Sequence, residues 1–213
     1  MTMKAKAADW SIEDYLGRQR GLFIAGVDEV GRGAWAGNMV VAAAVYAPSV
    51  SVPCTLRDSK ALTAEERERL VKILTEEYIN KDHLHIAYAE AEPTLIEGSN
   101  LNQLNMQLFK EALGKLPHFD QVIIDGTIAD NTFPGICAPK ADATSITVAT
   151  ASIFAKVYRD RQMHELHKQF PQYGFAVHLG YGTKVHVAAI LKHGPIKGIH
   201  RHNFLQNLRN QTA

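Results

Sequence analysis

A strand that ends in two acidic residues restricts the possible folds of this 213-residue chain more than any other segment. Residues 22–27 are apolar apart from one glycine, a composition typical of a buried strand, and Asp28 and Glu29 follow directly. Glycines at positions 31, 33 and 37 indicate a turn, and the apolar run over 39–46 predicts a second strand. The pattern therefore predicts a β-hairpin whose first strand carries two carboxylates.

Helices and further strands are predicted along the rest of the chain. The strands after the hairpin cover 84–89, 122–124 and 136–138. The helices cover 8–18, 63–78 with a capping box at Thr63, a segment that begins at Asn100, about 148–168 and 184–193. This succession predicts an α/β fold, in which a mixed sheet is flanked by helices and followed by a helical C-terminal extension.

The low cysteine content and the lack of long apolar segments indicate the cellular compartment of the protein. Cys54 and Cys137 are too few for a disulfide framework or a zinc cage. The N-terminus lacks the apolar stretch of a signal peptide, and no run approaches the ~20 apolar residues of a membrane span. We therefore expect a cytoplasmic protein that does not associate with membranes.

Charge is unevenly distributed along the chain, although its net value is only +1. The residues from 151 onward carry a net charge of +7, and the first 150 residues carry −6. A basic third beside an acidic body suits a polyanion held near a carboxylate site. A charged surface that interacts only with solvent is the alternative interpretation.

Two further acids follow the hairpin acids in the sequence. Asp125 directly follows the strand at 122–124, and Asp142 lies shortly before a predicted helix. A single acid at a strand end commonly caps a turn. If the two acid-bearing strands are neighbours, however, their carboxylates converge at one edge of the sheet, and Asp142 could join them from a loop.

Such a cluster of acids would need cations. Two carboxylates about 5 Å apart repel each other by about 3 kcal/mol at an effective dielectric of about 20. Ligand sets made only of oxygen select hard ions such as Mg²⁺ or Mn²⁺. A pair of such ions catalyses in-line phosphodiester hydrolysis. If the acids converge, they therefore suit metal-dependent hydrolysis of a phosphodiester.

Several motifs resemble those of ribonuclease HII, a type 2 ribonuclease H, and occur in the order of that family. The first is Gly26-Val27-Asp28-Glu29-Val30-Gly31-Arg32-Gly33. The later ones are Asp58-Ser59-Lys60, Ile124-Asp125-Gly126, Lys140-Ala141-Asp142-Ala143, the segment 151–160, Gly180-Tyr181-Gly182-Thr183-Lys184 and His200-Arg201. Together the motifs span roughly residues 22–204.

The resemblance implies an endonuclease with a ribonuclease H-like fold and Mg²⁺ or Mn²⁺ as cofactor. It implies two-metal-ion hydrolysis of the RNA strand of RNA–DNA hybrids and incision 5′ of single ribonucleotides embedded in duplex DNA. The implied metal-binding catalytic set is Asp28, Glu29, Asp125 and Asp142. Successive side chains of a strand face opposite ways. Glu29 is therefore expected to act partly through its main-chain carbonyl, or to be re-aimed by a bulge.

The resemblance also implies substrate contacts and a domain division. Gly31, Arg32 and Gly33 are expected to contact the ribonucleotide, since only a bare backbone can approach a 2′-hydroxyl closely. Tyr181 is expected to pack beside the ribose at the RNA–DNA junction. The expected contacts to the nucleic-acid backbone are Ser59, Lys60, Lys184 and Arg201. The implied units are an N-terminal helical appendage over 1–20 and a catalytic domain over 21–213, with its helical part over about 165–213.

The expected partners are an RNA–DNA hybrid and ribonucleotide-containing duplex DNA, bound by a monomer. One alternative is another nuclease or strand-transfer enzyme of the same superfamily, which would share the acids but not Gly-Arg-Gly with Gly-Tyr-Gly-Thr. A second is a catalytically impaired nucleic-acid-binding protein of the same fold. A dinucleotide-binding loop is disfavoured, because it needs a helix after the glycines.

Histidines in the C-terminal third could be taken for zinc ligands. Without clustered cysteines they are interpreted as surface or phosphate-contacting residues, namely His164, His167, His200 and His202. Asp160 is interpreted as an ion-pair partner on a helix surface.

Overall fold

Five strands form one mixed sheet in the computed structural model, which describes residues 8–52, 56, 62–127 and 132–209. They are β1 (Ile24–Val30), β2 (Met39–Tyr46), β3 (Leu84–Ala91), β4 (Gln121–Asp125) and β5 (Gly135–Ala138). Their order across the sheet is β3-β2-β1-β4-β5. β1 and β3 both pair antiparallel to β2, whereas β4 pairs parallel to both β1 and β5. The predicted hairpin and mixed sheet are confirmed.

Helices cover the sheet and continue beyond it. They are α1 (Ser11–Leu16), α2 (Ala64–Leu74), α3 (Pro93–Glu97), α4 (Leu101–Gly114), α5 (Ile146–Gln169), α6 (Phe175–His178), α7 (Lys184–His193) and α8 (His202–Arg209). None of the helices in the described ranges combines the length and the apolar character that crossing a membrane requires.

Each face of the sheet packs against one main helix, because strand side chains alternate between faces. Val40 and Ala42 of β2 lie in the same apolar cluster as Ile153 of α5. Val41 of β2 lies in a second cluster with Leu108 of α4. The central strand β1 is therefore sandwiched between α5 and α4, and its side chains point alternately toward one helix and the other.

α5 approaches β1 so closely that position 26 requires glycine. A Cβ atom on Gly26 would lie 2.3 Å from the main-chain nitrogen of Val148 and 2.4 Å from the carbonyl carbon of Thr147. Ser145 caps this end of the helix, since its hydroxyl accepts the Val148 N–H at 3.2 Å. The close contact fixes α5 over the part of β1 that leads into the acids.

The N-terminal helix is shorter than predicted. α1 ends at Leu16 because Gly17 adopts a left-handed φ of 115°. Glu13 of α1 is fully buried, and one of its carboxylate oxygens accepts the Ser145 hydroxyl at 2.7 Å and the Thr147 N–H at 2.9 Å. These bonds dock the N-terminal segment on the first turn of α5. The predicted division at residue 20 stays a prediction.

Other boundaries also differ from the predictions. β1 continues to Val30, one residue beyond the acids at which the predicted strand ends, because its pairing with β2 extends to Val30 and Val40. The five-residue helix α3, which has proline at its start, was not predicted. The capping box of Thr63 and Glu66 is confirmed at the start of α2.

The predicted helical C-terminal extension is confirmed as α6, α7 and α8. Phe175 and Ile190 of the extension pack in one cluster with Met163 of α5 and Ala36 of the β1–β2 loop. An isolated bridge also joins Ala36 to His200. The extension therefore packs against the loop that follows the acids of β1.

Candidate active site

Parallel pairing of β1 and β4 brings Asp28 and Asp125 side by side. The register joins Val27 to Ile124, and the next residue on each strand is an aspartate. Both aspartates face α5, because Val27 and Ile124 pack on the opposite face with α4. The prediction that neighbouring strands bring these acids to one edge of the sheet is confirmed.

Asp142 reaches the same point from a 3₁₀ turn, Ala141–Ala143, between β5 and α5. The Ala141 N–H donates to Oδ1 of Asp125 at 2.7 Å, which ties this turn to β4. One carboxylate oxygen from each of Asp28, Asp125 and Asp142 lies within 4.8 Å of the others. Three oxygen ligands at this spacing could hold a hard divalent cation.

The surroundings of Asp28 destabilise the ionised form of its carboxyl group. Its side chain is buried, with 6% of the residue exposed. Burial, together with the charges of Glu29 and Asp125, raises the pKa of Asp28 to about 8, although hydrogen bonds from the Ser152 side chain and the Glu29 N–H act in the opposite direction. A bound divalent cation would offset both the burial and the repulsion, so the cluster suits a metal ion.

Glu29 lies on the opposite face of β1 from Asp28. The pairing of β1 with β2 is regular from Ala25 to Val30, so no bulge turns Glu29 toward the aspartates. Its side chain instead forms a hydrogen bond with Asn105 of α4. Burial raises the pKa of Glu29. The prediction that Asp28 and Glu29 face opposite ways is confirmed, and the suggested bulge is wrong.

An open cleft of about 320 Å³ joins the acids to the predicted substrate-binding residues. Its walls include Asp28, Glu29, Asp125, Gly31, Arg32, Gly33 and Tyr181. Ser152 and Lys156 of α5 also line it and were not predicted as site residues. Their spacing of four residues, which places two side chains on one helix face, was the signal that could have identified them.

Lys156 contributes a cation to the cleft wall. Its Nζ lies 2.6 Å from Oδ1 of Asp160, and Oδ2 of Asp160 lies 3.5 Å from Nη2 of Arg67. Asp160 is only 8% exposed. The predicted ion-pair role of Asp160 is confirmed, but its predicted position on the surface is wrong. This ion pair orders the Lys156 side chain beside the acids.

The Gly-Arg-Gly turn depends on glycine at its first position. Gly31 has a φ of 82°, and a Cβ atom there would lie 2.1 Å from Nε of Arg159. Gly33 is exposed, with no heavy atom within 4 Å of where its Cβ would be. The guanidinium of Arg32 donates to the side chain of Asn102 on α4. The turn therefore presents bare backbone to the cleft at Gly33.

Arg201 binds the main chain of this turn from the protein interior and does not contact solvent. The residue is fully buried, and its guanidinium donates to the carbonyl of Gly31 at 2.7 Å, of Arg32 at 3.1 Å and of Gly37 at 2.6 Å. The prediction that Arg201 contacts a phosphate is wrong, because every guanidinium nitrogen is committed to a main-chain carbonyl. Sequence alone gives no signal for the burial of this arginine.

The other residues predicted to contact the nucleic-acid backbone lie away from the cleft wall or outside the described residues. Lys184 is exposed in the first turn of α7 and is not among the residues that line the cleft. Ser59 and Lys60 lie outside the described residues.

The C-terminal histidines differ in their burial. His164 and His202 are exposed, as predicted, and His167 is half-buried. His200 is fully buried. The interpretation of His200 as a surface or phosphate-contacting residue is therefore wrong, since its ring packs inside the extension.

Comparison with known proteins identifies similar chains. Residues 25–207 match the family model described as Ribonuclease HII. A ribonuclease HII from Thermus thermophilus is 41% identical over 87% of this chain and 88% of its own length, and one from Geobacter metallireducens is 40% identical over 92% and 89%. The crystal structure of ribonuclease H2 from Pyrococcus horikoshii superposes with a TM-score of 0.73 at 25% identity, covering 89% of this chain and 98% of that one.

Proposed function

The chain belongs to the ribonuclease HII family, and from this membership we propose that Asp28, Asp125 and Asp142, together with Glu29, form its catalytic metal site. The protein is an endonuclease that degrades the RNA of RNA–DNA hybrids, and the activity of the family depends on divalent metal. The observation that supports the assignment of the site is the convergence of three carboxylate oxygens within 4.8 Å beside the cleft.

Mg²⁺ or Mn²⁺ is the proposed cofactor, in a two-metal-ion hydrolysis. The available ligands are carboxylate oxygens, which favour these ions over zinc. Bound cations would activate water on one side of the scissile phosphodiester and stabilise the leaving oxygen on the other. Glu29 faces away from the aspartates, so we assign its contribution to the main-chain carbonyl. Lys156, held by Asp160, adds positive charge where a phosphate would lie.

We further propose that the enzyme cuts 5′ of single ribonucleotides embedded in duplex DNA. The Gly31–Gly33 turn offers backbone groups that can approach a 2′-hydroxyl, the group that distinguishes ribose from deoxyribose. Tyr181, on the wall of the same cleft, would pack against the sugar at the RNA–DNA junction. The monomeric state and the cytoplasmic location stay predictions.

Substitution of one aspartate tests the metal site. Asp28→Asn and Asp125→Asn each remove a charged ligand with little change in volume, so the cleavage rate should fall by roughly a thousandfold. Mg²⁺ should raise the melting temperature of the wild type but not of these variants. Glu111→Gln, which changes an exposed acid of α4, serves as the control and should behave like the wild type. Full activity in excess chelator would contradict a metal mechanism.

Three matched duplexes test the proposed substrate range. Duplexes that contain no, one or many ribonucleotides in one strand are incubated with the enzyme and Mg²⁺, and the product ends are mapped. We expect no cleavage of the first, a single cut 5′ of the ribonucleotide in the second and multiple cuts in the third. Binding of all three without cleavage would instead support a catalytically impaired nucleic-acid-binding protein.

A further inference from the structure

Three buried histidines lie next to the main chain around Tyr181. They have no role in the hydrolysis or the substrate binding proposed above. His186 and His200 are fully buried, and His178 is 6% exposed. The rings of His178 and His186 stack with centroids 4.2 Å apart. None of the three lines the cleft. Their hydrogen bonds nevertheless lead to the main chain of the loop that carries Tyr181.

Hydrogen bonds assign the proton on each ring of the pair His200 and His186. The Ile196 N–H donates to Nδ1 of His200 at 2.9 Å, so a neutral His200 carries its proton on Nε2. That atom lies 3.2 Å from Nε2 of His186, which must accept. The proton of His186 is then on Nδ1, which donates to the Tyr181 carbonyl at 2.9 Å. A directed chain of hydrogen bonds thus ends on Tyr181.

His178 holds the residue that precedes Tyr181. The Gly180 N–H donates to Nδ1 of His178 at 3.2 Å, and Nε2 of the same ring donates to the Tyr173 carbonyl at 2.7 Å. The Gly180 N–H and the Tyr181 carbonyl are therefore both bound to histidine rings. Tyr181 lines the cleft and is 37% exposed, so these main-chain contacts place its ring together with the Arg159 guanidinium, which lies 5.5 Å from the ring centroid.

The hydrogen-bond pattern requires all three rings to be neutral. A second proton on His200 would face the Ile196 N–H, and a second proton on His186 would face Nε2–H of His200. Burial lowers the pKa of His186 and of His200 to about 4, and it also lowers the pKa of His178. The chain of hydrogen bonds is accordingly complete at neutral pH.

We propose that His186, oriented by His200, is a positioning residue that sets the placement of Tyr181 for recognition of the RNA–DNA junction. The inference rests on the proposed role of Tyr181 at that junction. Loss of the bond to the Tyr181 carbonyl would let the loop shift, while the three aspartates, on β1, β4 and the turn before α5, would keep their geometry. Junction recognition should therefore suffer more than hydrolysis itself.

The test compares kcat/KM on a duplex with one embedded ribonucleotide with kcat/KM on a continuous hybrid. We call the first value divided by the second the junction ratio. His186→Ala should lower the ratio about tenfold, as expected for loss of one buried hydrogen bond. Asparagine can place an N–H near the position of Nδ1, so His186→Asn should restore the ratio to within about threefold of the wild type. Tyr181→Ala is measured in parallel.

The outcomes separate the two proposals. An unchanged junction ratio in Tyr181→Ala would refute the role of Tyr181. A changed ratio in Tyr181→Ala combined with equal losses on both substrates in His186→Ala would refute the positioning role of His186. Because His186→Ala could fail to fold, the tautomers are also measured in the wild type by NMR of ¹⁵N-labelled histidine. Protons on Nδ1 of His186 and Nε2 of His200 support the proposal, and any other pair of tautomers overturns it.

Discussion

Asp28 couples metal binding to pH at the scale of a single residue. Its carboxyl has a pKa of about 8 without a bound ion, mainly because it is buried. Below pH 8 the carboxyl is therefore mostly protonated, and an incoming cation must displace that proton. The same burial that raises the pKa also strengthens the attraction for a cation once the proton has left.

Mg²⁺ affinity should therefore rise with pH between about 7 and 8, by up to about tenfold per unit if one proton is released, and level off above pH 8. Calorimetric titration in two buffers of different ionisation enthalpy measures both the affinity and the number of protons released. Asp28→Asn, which lacks this ligand, should show neither the Mg²⁺ binding nor the proton release. An Mg²⁺ affinity that stays constant between pH 7 and 9 would contradict this assignment.

Sequence identified the acids but not the burial of the residues around them. Asp28 and Asp125 were predictable, because each follows an apolar strand, and parallel strands place such residues together. Arg201 was assigned to the surface, since arginine is rarely buried and the local sequence contains no sign of the carbonyls that surround it. Those carbonyls belong to residues 164 to 170 positions earlier in the chain.

Two arginines from different elements hold the loop between β1 and β2. Arg159 of α5 donates to the carbonyls of Asn38, Ala36 and Leu179, at distances between 2.8 and 3.0 Å. Arg201 donates to the carbonyls of Gly31, Arg32 and Gly37. Burial and the neighbouring Arg159 lower the pKa of Arg201 to about 9, so it remains a cation at neutral pH. The loop is thus built around two fixed positive charges.

Arg201→Met should destabilise the protein without changing its sensitivity to salt. The variant leaves buried carbonyls without donors, at a cost of about 3–5 kcal/mol in the free energy of unfolding, which corresponds to a fall of roughly 10 °C in melting temperature. Thermal unfolding and the salt dependence of binding are measured together. If Arg201 instead contacted phosphate, the melting temperature would be retained and the salt dependence would weaken.

At the scale of elements, a helix or strand end was predictable where the local sequence sets it and not where pairing with another strand sets it. The capping box of Thr63 lies within one helix turn, and the start of α2 followed from it. The end of β1 depended on its partner, since pairing with β2 carries the strand through Asp28 and Glu29 to Val30. No pattern within residues 22–30 contains that information.

Across the whole molecule, the basic C-terminal third lies beside an acidic cleft. Binding of a polyanion to such a surface should weaken steeply with salt, because each neutralised phosphate releases counterions. Lys184 is exposed at the start of α7, whereas Lys192 is exposed at its end. The two lysines therefore provide a matched pair on one helix.

Lys184→Ala should reduce the slope of log affinity against log salt concentration by about one unit. Lys192→Ala, the control, should leave the slope unchanged. Fluorescence anisotropy with a labelled hybrid, at several salt concentrations, measures both slopes. An unchanged slope in Lys184→Ala would place the phosphate contacts on another face of the molecule.

α5 is one continuous helix of 24 residues that contacts both the cleft and the C-terminal extension. Ser152 and Lys156 face the cleft, while Arg159, one turn later, binds Leu179 in the loop before Tyr181. If Tyr181 recognises the junction as proposed, hydrolysis and selectivity depend on different stretches of this one helix. A directed library in the loop around Tyr181, with Arg201 left unchanged, should then alter which nucleic acids are cut without moving Asp28, Asp125 or Asp142.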